Sequence, residues 1–399
     1  MKNILTFGYR KEIADICEDK GFKLVVLLDA WDDVDQLPSP KQNETRILTK
    51  NNTSMEDVLS ALIENEETNF DAVYSAHESF VVNASFLSSV FTKSKGFPMT
   101  LIRFRDKQLQ KDFIRSEYRT ASSRKISVQN KKRELDAVGF PSVVKPLSGS
   151  GAEHTHVVHD VSGLEKILQH HAHNTNLPQQ LIVEDYVKGE EWHINGWMQE
   201  SVLEFVTVSR YLKPCIETKN GWMNSSITYR PEENEALYQE ARVFVEGTLR
   251  TLELNDGVFH MELFRDEEGF VFGECGARVG GYPVPSVIKA MFDVDLHEIA
   301  MTFALGEQVL TVEAASSFYY GETDLPPLAS NKAILPDEKE LYQIPGVERV
   351  EYNWNPGSDL PDPTKSTTSS TGSLMVKGTS VEDVEKTLEE ALLKFKGLT

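Results

Sequence analysis

The stretch GVFHMELFRDEEGFVFGECGARVGGYP, Gly257 to Pro283, restricts the fold of this chain more than any other. From Val258 to Phe264 the residues alternate, Phe259, Met261 and Leu263 pointing one way and His260 and Glu262 the other. A polar turn, Arg265 to Gly269, connects this strand to a second, Phe270 to Glu274, which runs straight into GARVGG. With an odd-length loop, strand parity puts Glu262 and Glu274 on one face, nearly opposite each other. Two carboxylates held that close repel unless a cation sits between them. Arg278 adds positive charge at the same end of the hairpin. A strand glutamate taken alone reads as part of a solvated face, and GG alone as a turn. Together, carboxylates, a divalent metal and an arginine above glycines suit polyphosphate chemistry.

The chain of 399 residues is long enough for two or three domains. A net charge of −21 argues against nucleic acid as the main partner. No apolar run approaches the roughly 20 residues of a membrane helix, so no membrane partner is expected. The start, MKNILTFGYRKE, lacks an apolar h-region and a cleavage site, so no export signal is read. Cys17, Cys215 and Cys275 are widely spaced and odd in number, which argues against a disulfide framework. These features place the chain in the cytoplasm.

In chain order, apolar strands at Asn3–Phe7, Phe22–Leu28 and Asp71–Tyr74 alternate with helical stretches, implying a small parallel α/β sheet. The first turn, FGYRKE, lacks GxGxxG, so this Rossmann-like sheet need not hold a dinucleotide. Any ligand of it would lie beyond the strand ends, near Gly8 or Ala76 to Glu78. From Arg103 to Arg133 lie eleven lysines or arginines, a solvated helix face or a dock for phosphate or an acidic partner. FPSVVKP, Phe140 to Pro146, is a buried strand with Lys145 near its end, followed by the glycine-serine loop SGSG. A lysine beside such a loop fits phosphate binding, although the P-loop spacing is absent. The histidines at 154, 156, 159, 170, 171 and 173 lack the spacing of a metal cluster. LIVEDYV breaks at Lys188-Gly189 before a strand from Trp192 to Met198, and Phe205 to Leu212 continues the sheet. Glu233 to Leu252 has the pattern of an amphipathic helix, and helices follow at Val284–Phe292, Leu296–Leu305 and Ser380–Phe395. Asn355 to Gly372, rich in Ser, Thr, Pro and Gly, reads as a loop.

The ordered set RDKQLQK, FPSVVKPLSGSG, LIVEDYVKGEEWHI and HMELF…GECGARVGG resembles the ATP-grasp superfamily of carboxylate ligases. The resemblance implies an α/β fold with an α+β lid: a Rossmann-like domain over 1–104, a linker helix and lid over 105–187, and a C-terminal domain over 188–399. ARVGG looks most like the members that act on amino acids. Carried over, Lys107 and Lys145 are the phosphate-binding lysines, and Ser148, Gly149, Ser150 and Gly151 form the mobile loop over the phosphates. Glu184, Asp185, Tyr186 and Val187 make the adenine hinge, Glu191 takes the ribose, and Lys213 joins the nucleotide set. Glu262 and Glu274 are the Mg²⁺ ligands of an ATP site. Arg278 faces the transferred phosphoryl group, with Arg210, His260, Gly280 and Gly281 on the substrate side. Where many members carry Asn, this chain has Gly276.

The reading that follows is an ADP-forming ligase joining an amino acid or similar small carboxylate to an amine. Two others stay open: loading of an amino acid onto an acyl carrier protein thiol, and a nucleotide-binding regulatory protein without ligase activity. Specificity is expected around Arg210 to Asn224 and Gly280 to Val284. Relatives of this kind are often homodimers.

Overall fold

Four strands, β1 (Asn3–Phe7), β2 (Lys23–Leu28), β3 (Glu44–Leu48) and β4 (Ala72–Tyr74), form an all-parallel sheet in the order β3-β2-β1-β4. The computed structural model describes residues 1–29, 32, 34, 37–92, 98–129, 135, 138–310, 316–328, 332–360 and 370–399. Lys131, Lys132 and Arg133 of the basic run, and 361–369 of the expected loop, lie outside the described residues.

β1 and β2 are buried along most of their length, as parallel strands covered by helices on both faces must be. Their alternate residues divide between two cores. Leu5, Phe7, Val25 and Leu27 pack with the helices Met55–Glu64 and Val81–Phe91. Ile4, Val26 and Leu28 pack with the helix Lys11–Asp19 and, far along the chain, with Val284–Phe292 and Leu296–Ala304. This second core fastens the N-terminal sheet to the segment after GARVGG. Patterning shows β1, β2 and β4 but not β3, whose ETRIL run has one fully buried residue, Ile47. The helix after β3 does carry a start signal: the Ser54 hydroxyl accepts the Asp57 N–H at 3.2 Å.

A second sheet is built from β5 (Ser123–Ser127), β6 (Ser142–Pro146), β7 (His156–Val158) and β8 (Gln180–Asp185), antiparallel in the order β5-β8-β6-β7. Helix Val161–His173 covers it through Leu164 and Leu168. The basic run is not one surface. Lys107 and Lys111 are buried on helix Lys107–Ile114, whereas Arg124 and Lys125 stand exposed on edge strand β5. Arg103, Arg105, Arg115 and Arg119 pair with Glu253, Glu78, Asp112 and Asp266.

The third sheet has eight strands. They are β9 (Glu190–Gln199), β10 (Val202–Tyr211), β11 (Ser225–Thr228), β12 (Gly257–Asp266), β13 (Gly269–Gly276), β14 (Tyr319–Leu325), β15 (Val347–Tyr352) and β16 (Gly372–Gly378), in the order β13-β12-β9-β10-β11-β14-β16-β15. Helix Glu235–Thr251 buries Tyr238, Ala241, Val245 and Leu249 against Phe259, Met261 and Leu263 of β12. Those three residues and the alternating His260 and Glu262 therefore occupy opposite faces. β13 is the sheet edge, but it is not left open. Phe272 N–H donates to Arg119 O at 2.8 Å, and helix Lys107–Ile114 lies alongside.

Candidate active site

Glu262 and Glu274 are direct partners on the β12–β13 ladder, but loop parity does not put them there. The turn is two residues, with Asp266 opposite Gly269, and that register would set Glu262 against Gly273. A bulge between Glu262 and Leu263 absorbs Gly273 as an extra residue on β13 and brings Glu274 across from Glu262. Only glycine fits this bulge, because a Cβ at position 273 would lie 2.7 Å from the Glu262 carbonyl oxygen.

The face that carries both glutamates floors a cleft of about 1420 Å³, open to solvent, between the central sheet and the β5–β8 sheet. Alternating charges cross it. Lys145 Nζ lies 3.1 Å from Glu274 Oε2 and 3.3 Å from Glu184 Oε2, Lys107 Nζ lies 3.4 Å from Glu274, and Lys111 Nζ lies 3.6 Å from Glu184. Lys107 also donates to Gly149 O at 2.6 Å, holding the glycine-serine loop over the cleft. Burial works against the Lys145 ammonium, but Glu184 and Glu274 more than offset it and its pKa is raised. Burial would also lift Glu274, yet Lys107 and Lys145 bring its carboxyl down to about 2. At Glu191 the charge of Lys145 is outweighed. Burial and then the charge of Glu262 push it up to about 8, while Cys215 N–H donates to it at 2.7 Å.

At the far end, Arg278 forms a buried ion pair with Glu78, which reaches in from just after β4 and also binds Arg105 at 2.6 Å. Burial would raise the Glu78 pKa, but Arg278 and then Arg105 outweigh it and the carboxylate stays ionised. A Cβ on Gly276 would stand 2.9 Å from Glu78 Oε2, so glycine there leaves room for this pair.

Among the described residues no three His, Cys, Asp or Glu side chains converge as a self-sufficient metal site. Two hard carboxylates beside two lysines instead fit Mg²⁺, which takes one or two protein carboxylates and completes its shell with phosphate oxygens and water. The anionic donors Glu262 and Glu274 and the cations Lys107 and Lys145 thus suit a magnesium–polyphosphate unit.

Residues 138–285 match the ATP-grasp domain family. The chain carries an ATP-grasp domain. Its structure superimposes on L-amino acid ligase from Bacillus licheniformis with a TM-score of 0.77 at 18% identity, covering 98% of this chain and 97% of that one. It also superimposes on a carboxyaminoimidazole ribonucleotide synthase from Aspergillus clavatus solved with ATP, with a TM-score of 0.74 at 13% identity over 100% and 99% of the two chains. In sequence it is 24% identical over 243 residues to the L-arginine-specific L-amino acid ligase of Bacillus subtilis, covering 59% of this chain and 58% of that protein. It is 23% identical over 229 residues to dapdiamide A synthase of Enterobacter agglomerans, covering 55% and 53%. The matches thus span somewhat over half the length of these curated relatives.

Lys107, just before the matched domain, and Lys145, Gly149, Ser150, Gly151, Glu184, Asp185, Tyr186, Val187, Glu191, His260, Glu262, Glu274 and Arg278 within it all line this cleft. Five expected residues do not. The Ser148 carbonyl accepts from Arg105, and Lys213 lies over the Trp222 ring at 4.9 Å. Arg210 alternates with cleft-lining Tyr211 on β10, so it faces away and pairs with Glu190 at 2.9 Å and Glu385 at 2.8 Å. Gly280 and Gly281 lie outside the lining, though Gly280 packs below it, where a Cβ would be 2.8 Å from Asn195 Oδ1. Tyr211, Cys215 and Asn224 also line the cleft; they fall in the 210–224 span of expected specificity, although no motif singles out any one of them. The rule that ligands sit beyond parallel strand ends did point to Glu78.

Under the floor a polar chain runs from β12 to β14. His260 Nδ1 meets Asn195 Oδ1 at 2.8 Å, Asn195 Nδ2 meets His193 Nδ1 at 3.0 Å, and His193 Nε2 meets Ser226 Oγ at 2.9 Å. The Ser226 hydroxyl donates to Glu322 at 3.1 Å. Burial holds His193 neutral and pushes Glu322 from 4.5 up to about 8. Between those two values the folded chain keeps a proton that the unfolded chain releases, so stability falls as pH rises through the window. Glu322→Gln is therefore expected to flatten the loss of Tm between about pH 5 and pH 8. A wild-type-to-variant Tm difference that stays constant over that range would exclude a buried proton on Glu322.

Proposed function

We propose that this chain is an ADP-forming ligase that activates an amino acid or similar small carboxylate as an acyl phosphate and joins it to an amine. One observation carries the reading: Lys107, Lys145, Glu262, Glu274 and Arg278 converge in one cleft beneath a glycine-serine loop. The names of the two curated relatives, an amino acid ligase and a dapdiamide synthase, support the same chemistry. The division into 1–104, 105–187 and 188–399, and a cytoplasmic location, belong to this reading. Among the described residues no helix is long and apolar enough to cross a membrane.

A carboxylate resists attack by an amine because its leaving group would be oxide. ATP removes that obstacle by forming an acyl phosphate. Glu262 and Glu274 would hold Mg²⁺, which when bound supplies charge neutralisation of the phosphates. Lys107 and Lys145 bind the polyphosphate and orient it. The strand break at Glu184 to Val187 offers its backbone to the adenine, with Glu191 toward the ribose. Arg278 stabilises charge as the phosphoryl moves to the carboxylate and again as phosphate leaves the tetrahedral adduct. The loop from Gly149 to Gly151 excludes water, which would hydrolyse the acyl phosphate.

The carrier-thiol alternative rested on a basic docking surface, and among its described residues all but Arg124 and Lys125 are internally paired. The deciding measurement is ADP release across pairs of amino acids, with and without acyl carrier protein, and mass spectrometry of the products. Release that requires two amino acids and yields an amide in equal amount is expected. Release only with carrier protein would shift the acceptor to a thiol, and none with any substrate would leave a regulatory nucleotide binder.

A further inference from the structure

We infer that Gln110 and Lys111 are positioning residues that set the register of the Glu262–Glu274 pair. The inference rests on those carboxylates being the metal ligands proposed above. The helix Lys107–Ile114 lies along the edge strand β13, and its residues at positions 107, 110 and 111 share one face. Lys107 reaches the Glu274 side chain; the other two grip the backbone on either side of it. The Gln110 amide makes two bonds to Cys275, donating to its carbonyl at 2.7 Å and accepting its N–H at 3.0 Å. Lys111, fully buried, donates to the Gly273 carbonyl at 3.0 Å and to Thr120 Oγ1 at 3.2 Å, while that threonine hydroxyl donates to Phe272 O at 3.1 Å.

The gripped residues are the bulge residue, Gly273, and those that bracket Glu274. A bulge leaves its extra residue out of the ladder, and on a sheet edge no further strand can satisfy it. Here an ammonium does so. The alternative register, with the bulge lost, sets Glu262 opposite Gly273. Slipping by one residue turns the Glu274 side chain to the other face, among Phe270, Phe272 and the helix Glu235–Thr251. The clamp therefore selects between a two-carboxylate face and a one-carboxylate face. Gln110 also lines the cleft and Lys111 pairs with Glu184 there, but the clamp acts through the backbone of β13. Partners that orient metal ligands in this way typically govern tenfold to hundredfold in metal affinity.

The test measures Mn²⁺ binding by electron paramagnetic resonance, with MnCl₂ and adenylyl imidodiphosphate as probes, on the full chain. Gln110→Met removes both bonds to Cys275 without adding charge and keeps the side-chain length. The expected result is Mn²⁺ affinity weakened by about tenfold or more, with nucleotide affinity in EDTA changed less than about threefold. Lys111→Met should weaken Mn²⁺ binding likewise, but it also removes a cation from Glu184, so Gln110→Met is the deciding variant. A role in stability only would lower Tm and leave Mn²⁺ affinity untouched, so a folded Gln110→Met with wild-type Mn²⁺ affinity overturns the inference. Glu274→Gln separates the two levels of the argument. If it binds Mn²⁺ as wild type does, the metal reading itself falls, and the positioning role with it.

Discussion

Arg278→Lys is expected to lose turnover while keeping stability, and Arg278→Ala to lose both. The arginine sits in a buried pair with Glu78 and also donates from Nη1 to the Val279 carbonyl at 2.8 Å. Truncation leaves Glu78 with Arg105 as its remaining arginine partner. Breaking a buried pair by removing one partner costs about 3–5 kcal/mol, so the alanine variant should melt well below wild type. Lysine retains the positive charge for Glu78 but lacks the planar fork that spreads over phosphoryl oxygens. Its turnover should fall about a hundredfold, the ~3 kcal/mol of one charge-assisted contact made in the transition state. ADP release at saturating ATP and carboxylate, read beside thermal melts, distinguishes the two losses. An Arg278→Lys protein with wild-type Tm and turnover within about threefold of wild type would show that the guanidinium serves only Glu78.

Glu274→Gln is expected to abolish most turnover with the fold intact. The amide preserves shape and the ladder, so the backbone bonds that bracket position 274 survive. Its charge is what is lost, and that charge now balances Lys107 and Lys145. Removing one anionic ligand from a magnesium–phosphate site forfeits several kcal/mol of transition-state stabilisation, a loss of more than about a hundredfold in rate. Two lysines freed of their carboxylate should hold metal-free ATP as well as wild type does, or better. The signature is therefore a collapse of rate without a collapse of nucleotide binding by calorimetry. Comparable rates for wild type and variant at limiting Mg²⁺ would show that Glu274 is not a ligand.

What the sequence makes legible follows period and order. Phe259, Met261 and Leu263 alternate with His260 and Glu262, and that alone separates the helix-packed face of β12 from the cleft. Lys145 and SGSG, then LIVEDYV, then the two glutamates, arrive in the order in which the structure folds them around the cleft. The bulge is not legible in this way. Counting residues between Glu262 and Glu274 gives the right pairing only by assuming a turn longer than the observed one, since the extra residue sits inside the strand. Gln110 and Lys111 end the RDKQLQK motif, but their grip on β13 is equally hidden, because the carbonyls and N–H they hold there leave no side-chain pattern. Arg210 shows the converse error: proximity in sequence to the cleft is undone by one step of strand alternation.

The Glu78–Arg278 pair has a consequence for sequence variation. Position 276 and the Glu78 carboxylate compete for one volume, since any side chain at 276 begins 2.9 Å from Glu78 Oε2. A side chain at 276 therefore requires the Glu78 carboxylate to move or be shortened. A larger residue at 276 must first be met by a shorter one at 78, and Arg278 and Arg105 then inherit an unbalanced excess of positive charge. The two positions should interchange as a unit. Chains with asparagine at 276 would have a small neutral residue at 78, and chains with glycine at 276 would retain the acid. Gly276→Asn should be tolerated in a Glu78→Ala background and rejected in the wild-type one, a non-additivity large enough to read from melting alone.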